Sequence, residues 1–103
     1  MSGYYRPIMI RKYKRLEEKY PGFIILQKER FMYVARGESA DVLRDILGYE
    51  IVEPEEGERY TGGPDAIKIE NALENFGYNY IVSESGEITK FENGVKSILK
   101  TYS

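Results

Sequence analysis

A chain of 103 residues with 42% apolar content has the size and composition of one globular domain, not of a disordered tail or a multidomain protein. It holds no cysteine and no histidine, which removes disulfides, thiolate metal sites, imidazole zinc ligands and the commonest general base, and with them most hydrolase chemistry. The net charge of -2 conceals an asymmetry: residues 1–30 carry eight Lys or Arg against three Glu, and residues 36–60 carry three Arg against eight acids.

The opening residues lack the apolar run of a signal peptide, and no segment approaches the roughly 20 apolar residues that span a bilayer. A cytoplasmic protein without a membrane partner is the expectation. The basic first segment suits a polyanion, because phosphate attraction follows local rather than total charge. A basic helix face beside an acidic one is also the ordinary pattern of a solvated surface.

In chain order, "YRPIMIRKYKRLEEKYPG" predicts a helix from about Pro7 to Tyr20. Proline suits its first turn, Ile10, Tyr13, Leu16 and Tyr20 recur at helical spacing, and Pro21-Gly22 stops it. Arg11, Lys12, Lys14 and Arg15 are expected to face outward. "GFIILQ" predicts a buried strand at Phe23–Gln27 and "RFMYVAR" a second at Arg30–Ala35, joined tightly through Lys28-Glu29. In that second strand Phe31, Tyr33 and Ala35 share one face and Met32 and Val34 the other, so both faces are apolar.

"SADVLRDILG" reads as a helix capped by Ser39 and ended at Gly48, with Val42, Leu43, Ile46 and Leu47 as its apolar stripe. "YEIVEP" predicts a third strand closed by Pro54, and "PEEGERYTGGP" a loop. After Pro64 comes a helix carrying Ile67, Ala72, Leu73 and Phe76 and ending at Gly77. "YNYIVS" is a fourth strand, Glu84-Ser85-Gly86 a turn into "EITKFE", and Asn93-Gly94 a second turn before a short terminal helix in "GVKSILKTYS". The whole chain, residues 1–103, reads as a single α/β module with a mixed sheet flanked by helices.

No catalytic residue, metal ligand set or cofactor site stands out. The acids of "EPEEGE" form a like-charged loop cluster with no His or Cys nearby. Asp65 or Glu70 joining such acids around magnesium would give a small nuclease, but only the fold can bring those oxygens together. "TGGP" before a helix has the outline of an anion-cradling loop but lacks P-loop and dinucleotide-binding signatures, so a plain turn accounts for it. Tyr4, Tyr5, Tyr13, Phe31, Tyr33 and Tyr60 are available either for base stacking beside the basic segment or for core filling.

The order of these signals resembles a known family. "PIMIRKYKRLEEKYPGFIILQKERFMYV" is similar to the opening of the N-terminal, mismatch-recognising domain of MutS-type DNA mismatch-repair proteins, which runs P-M-M-x-Q-Y, a helix, Y-P-D, an apolar strand and G-D-F-Y-E-x-F. Downstream, "TGGP", a helical stretch and "GYNYIV" resemble the family's A-G-V-P, helix and G-Y-K-V-A-I. The likeness runs collinearly from Pro7 to Glu84. It implies a mixed α/β fold in which Phe31 occupies the position of the family's phenylalanine wedge beside a mispaired base. Tyr33 occupies the position of the glutamate that hydrogen-bonds that base, Glu29-Arg30 replaces Gly-Asp, and Asp65-Ala66 replaces an aromatic-histidine pair. A module of this length is expected not to carry the family's ATPase domain.

The resemblance implies a non-catalytic, MutS domain I-like module that binds double-stranded DNA or a DNA-processing protein. Phe31 and Tyr33 are its expected aromatic contacts, and Arg6, Arg11, Lys12, Lys14, Arg15 and Arg30 its phosphate-facing charges. The alternative is a protein–protein interaction module that kept the fold and lost mismatch recognition. Its surface would be the acidic 53–58 loop or the Phe31–Ala35 strand acting as an open sheet edge, which would also pair two copies into a homodimer.

Overall fold

A computed structural model describes residues 7–100. Proline opens α1 (Pro7–Lys19), and the turn at Pro21-Gly22 returns the chain into β1 (Ile24–Glu29). There follow β2 (Met32–Arg36), α2 (Glu38–Leu47), β3 (Tyr60–Gly63), α3 (Ala66–Asn75), β4 (Tyr80–Glu84), β5 (Glu87–Glu92) and β6 (Val95–Lys100). The six strands form one mixed sheet in the order β3-β2-β1-β4-β5-β6. Only β1 and β4 run parallel, because the long excursion through β2, α2, β3 and α3 returns the chain beside β1 in the same direction.

Helices cover both faces, and the strands bury both. On one face Tyr13 and Tyr20 of the α1 segment pack on Ile25, Ile81 and Ile88. On the other, α2 and α3 bring Ala40, Leu43, Ile69 and Leu73 onto Ile24, Leu26, Tyr33, Ala35, Tyr80 and Val82. Leu26, Leu43, Ile69 and Leu73 are fully enclosed, and each contributes about 1.5–3 kcal/mol of transfer free energy. The two-sided apolar pattern that leaves strand orientation open in the sequence is the pattern of a sheet sandwiched between helices.

Several sequence expectations are corrected. "YEIVEP" forms no strand: only Val52 pairs, through an isolated bridge to Tyr60. The strand lies instead in the glycine-rich stretch expected to be a loop. Gly62 suits β3 because a Cβ there would meet the Tyr33 carbonyl oxygen at 2.5 Å, so the close approach of β2 demands glycine. The expected terminal helix is β6, paired to β5 along its whole length. Val95, Ile98 and Leu99 fit helical spacing, but the Asn93-Gly94 turn has positive φ at both residues and folds the segment back as a hairpin.

The Phe31–Ala35 segment is no open edge, since β2 lies between β1 and β3. Ser39 does not cap α2. Gly37 takes the N-cap position with φ 59, and the Ser39 hydroxyl accepts a hydrogen bond from the Ile25 N–H at 3.0 Å. In α3 the buried positions are Ile69 and Leu73, whereas Ile67 and Phe76 face solvent. Among the described residues no helix is long and apolar enough to cross a membrane.

Candidate nucleic-acid interface

The β1–β2 connection falls two residues later than the sequence suggests. Glu29 pairs with Met32, so Arg30 and Phe31 alone make the turn. Arg30 adopts φ 59, the sign that two-residue hairpin turns require at their first central position. A non-glycine residue held there costs about 1–2 kcal/mol. The consequence for Phe31 is large: instead of joining a strand face it occupies the hairpin tip, with 85% of its surface exposed.

The turn shifts because Glu29 belongs to the interior. Its carboxylate receives Nη1 and Nη2 of Arg36 at 2.5 and 3.0 Å, and the two side chains are only 4% and 6% exposed. Gln27 Nε2 donates to Glu29 and also to the Met9 carbonyl of α1. The Tyr13 hydroxyl donates to the Ile25 carbonyl at 2.7 Å and accepts from the Arg36 N–H at 2.9 Å. The Arg36 guanidinium stacks over the Tyr13 ring at 5.3 Å. Both strands of the hairpin are thereby bolted to the first helix by a satisfied polar network, which rigidifies what it joins. Burial raises the Tyr13 hydroxyl well above the usual tyrosine range.

Tyr33 does not stand beside Phe31 as a second exposed aromatic. Its side chain turns into the face covered by α2 and α3 and is 8% exposed, which corrects its expected role as a stacking contact. Its hydroxyl donates to Glu84 at 2.9 Å, and Lys28 Nζ reaches the other oxygen of the same carboxylate at 3.0 Å. Hydrogen bonds from Lys28 first, then Tyr33, hold Glu84 below the ordinary carboxylate range. Lys28 is raised by the same contact, and Tyr33 is raised by burial and then by Glu84. The Tyr33 hydroxyl is therefore committed within the protein.

The expected basic residues divide by position. Arg11, Lys12, Lys14 and Arg15 are all exposed on α1, and Arg30 is exposed on the turn. Arg6 lies outside the described residues. Because α1 runs antiparallel to β1, with Met9 against Gln27 and Tyr13 against Ile25, Arg11 and Lys12 come nearest the hairpin tip. Lys14 and Arg15 stand further along the helix, by about 1.5 Å of rise per residue. The acidic loop approaches the flank of α1: a Cβ on Gly57 would lie 4.0 Å from Ile10 Cδ1. Burial first, then the charge of Glu58, raise Glu17 of the helix above the usual carboxylate range.

The acids considered for a metal site are otherwise engaged. Asp65 caps α3, accepting from the Lys68 N–H at 3.1 Å, so its carboxylate already occupies the helix end that "TGGP" would offer to an anion. Glu70 accepts from the Tyr80 hydroxyl and from Lys96. No group of three or more acids among the described residues is placed to hold a metal ion.

Sequence reasoning missed the Glu29–Arg36 clamp and the Lys28–Tyr33–Glu84 triad. The signal available was Arg36 ending the otherwise apolar β2 with an acid, Glu29, near the end of the strand before it, which a buried pair explains better than two solvated ends. These features define a mixed α/β domain that displays one bare aromatic residue on a braced hairpin beside a basic helix. No protein-family model matches the chain, and no curated protein matches it.

Proposed function

We propose that this chain is a non-catalytic module, akin to the leading domain of MutS-type proteins, that binds duplex DNA by inserting Phe31 at a deformable step. Arg30 and the tip-proximal charges of α1, Arg11 and Lys12, contact the flanking phosphates. Lys14 and Arg15 extend that contact along the backbone. The observation that carries this reading is Phe31 itself. An 85% exposed phenylalanine gives the core almost nothing, yet it crowns a turn that is held by a buried ion pair and kept in an unfavourable backbone conformation. Aromatic wedges act in this way, offsetting a few kcal/mol of unstacking with contacts that a bent duplex permits.

Tyr33 serves this site as a positioning residue beneath the tip. With its hydroxyl given to Glu84, the strand beside Phe31 offers no free polar group at that position to read a base edge. Binding then follows duplex flexibility, so mismatched, nicked or TA-rich duplexes compete better than stiff A-tracts.

The test is titration of the isotope-labelled protein with matched and mismatched duplexes at low salt, reading backbone amide shifts. Shifts are expected at 30–32 and along the N-terminal half of α1. Stacking is worth about 1–3 kcal/mol per base, so Phe31→Ala should weaken binding by roughly 5- to 150-fold while leaving the thermal midpoint unchanged. Lys12→Gln should lower the salt dependence by about one counterion. Absence of shifts with any duplex, or Phe31→Ala binding as tightly as the parent, overturns the reading.

A further inference from the structure

The sheet has two edges, and the fold treats them differently. Along β3, the segment around Val52 shields the outer side: Val52 and Tyr60 exchange backbone hydrogen bonds at 2.8 and 3.0 Å, and the Thr61 hydroxyl donates to the Glu50 carbonyl. Along β6 nothing among the described residues plays that part. This strand has no proline and pairs with β5 without interruption from Val95 to Lys100. All of its residues are exposed, including Val95 at 66%, Ile98 at 61% and Leu99 at 41%. Lysine commonly guards such an edge, but Lys96 is drawn across α3 to Glu70 and Glu74 at 3.0 and 3.1 Å, which leaves Lys100 to guard the end of the strand and not its middle.

We propose that β6 is the interface through which two copies of this chain join, antiparallel about a two-fold axis at Ser97, into one continuous twelve-stranded sheet. The backbone fixes which groups are free. A two-residue hairpin turn makes Glu92 and Val95 a hydrogen-bonded pair, so Val95, Ser97 and Leu99 direct their N–H and C=O groups toward β5, and Lys96, Ile98 and Lys100 direct theirs outward. A two-fold axis perpendicular to the sheet keeps like faces together, so residues of the same parity must oppose one another.

Among the registers this permits, centring on Ile98 would set Lys96 against Lys100 of the second copy, twice. Centring on Ser97 removes that repulsion and opposes Lys96 to Ile98, whose outward backbone groups then bond reciprocally. On the α1 side it sets Val95 against Leu99, extending the apolar row of Ile81 and Ile88. A partner for this edge must present an apolar residue opposite Val95 and Leu99 and no cation opposite Lys96. The strand meets those conditions itself, and for that reason the occupant is a second copy.

Sedimentation velocity from micromolar to millimolar concentration should show a shift from monomer to doubled mass. Ile98→Lys, at an exposed site, opposes Lys96 of the other copy and should abolish the dimer without lowering the thermal midpoint. Ser97→Cys provides an independent readout, since the chain has no other cysteine. A non-hydrogen-bonded pair on the axis holds its Cα atoms about 4.5 Å apart, within disulfide reach, so mild oxidation should cross-link it. Ile98→Cys, lacking a cysteine opposite, should not cross-link. A wild-type monomer throughout the range, a dimer indifferent to Ile98→Lys, or equal cross-linking at both cysteine positions would overturn the proposal.

Discussion

Glu29→Ala probes the brace beneath the hairpin directly. The substitution removes the carboxylate to which both terminal nitrogens of Arg36 donate, leaving a 6% exposed guanidinium without its hydrogen-bonded counter-charge. Breaking a buried pair from one side costs about 3–5 kcal/mol, because the surviving charge stays desolvated. Against a total of about 5–15 kcal/mol for a domain this size, that is a large share. At about 4–8 °C per kcal/mol, the thermal midpoint should fall by roughly 12–40 °C. Urea unfolding should show the midpoint dropping with little change in slope, as expected when stability changes and the surface exposed does not. The double replacement Glu29→Leu with Arg36→Met removes both charges and fills similar volume, and should recover most of the loss. A cost below about 1 kcal/mol for Glu29→Ala, or a double variant as unstable as the single, would refute the view that a buried ion pair organises the hairpin.

Gly62→Ala should destabilise by about 1–3 kcal/mol, the range for overpacking, because the new methyl meets the unyielding Tyr33 backbone. Urea unfolding measures it, and a neutral result would mean that β3 does not approach β2 as closely as described. The pH dependence should have opposing contributions. Asp41 is lowered by its hydrogen bond from Arg59, Glu74 by that from the Tyr80 hydroxyl and Glu84 by that from Lys28. Their contribution is complete above the unfolded carboxylate value near about 4 and disappears as pH falls through the lower folded values, so the thermal midpoint should drop in acid. Glu17 runs the other way. Its raised folded value means a contribution present below the unfolded value and lost as pH rises through the folded one, so Glu17→Gln should raise the midpoint at neutral pH and not in strong acid.

The first helix, the parallel core strand and both downstream turns were legible because local chemistry and tertiary demand agree there: Pro7 at a first turn, apolar spacing at Tyr13, Leu16 and Tyr20, and Asn93-Gly94 at a two-residue reversal. The misreadings arise where pairing with another element overrides local preference. Val95, Ile98 and Leu99 suit a helix until β5 supplies backbone partners, and Tyr60–Gly63 reads as a loop until the closeness of β2 turns its glycines from breakers into a requirement. The hairpin is the instructive case. Alternation places Phe31 on the same face as Tyr33, but alternation holds only within a strand, and the burial of Glu29 with Arg36 lengthens β1 and pushes the turn onto Arg30 and Phe31. A buried ion pair seven residues apart across the hairpin thus decides whether a phenylalanine belongs to the core or the surface, and strand alternation does not register it.

The two proposals constrain one another geometrically. A two-fold axis perpendicular to the sheet reverses every strand of the second copy, so the two Phe31 tips of a β6-paired dimer point toward opposite ends of the joined sheet. Three strand spacings separate β1 from β6 in each copy, and one more separates the two copies of β6, so the tips are offset by roughly 33 Å at about 4.8 Å per spacing. Opposed tips at that offset cannot enter one short straight duplex side by side, but each can engage its own. The dimer should therefore bridge two duplexes. When one duplex is immobilised and a second, fluorescent duplex is added, the wild-type protein should retain the fluorescence on the surface. Ile98→Lys should bind the immobilised duplex with unchanged affinity and retain none of the second, and Phe31→Ala should already bind the first duplex roughly 5- to 150-fold more weakly. Bridging by the Ile98→Lys monomer would show that one copy carries two DNA surfaces. A wild-type dimer that saturates with a single duplex would show that the tips do not act independently, and either result would break the link between the sheet edge and the hairpin.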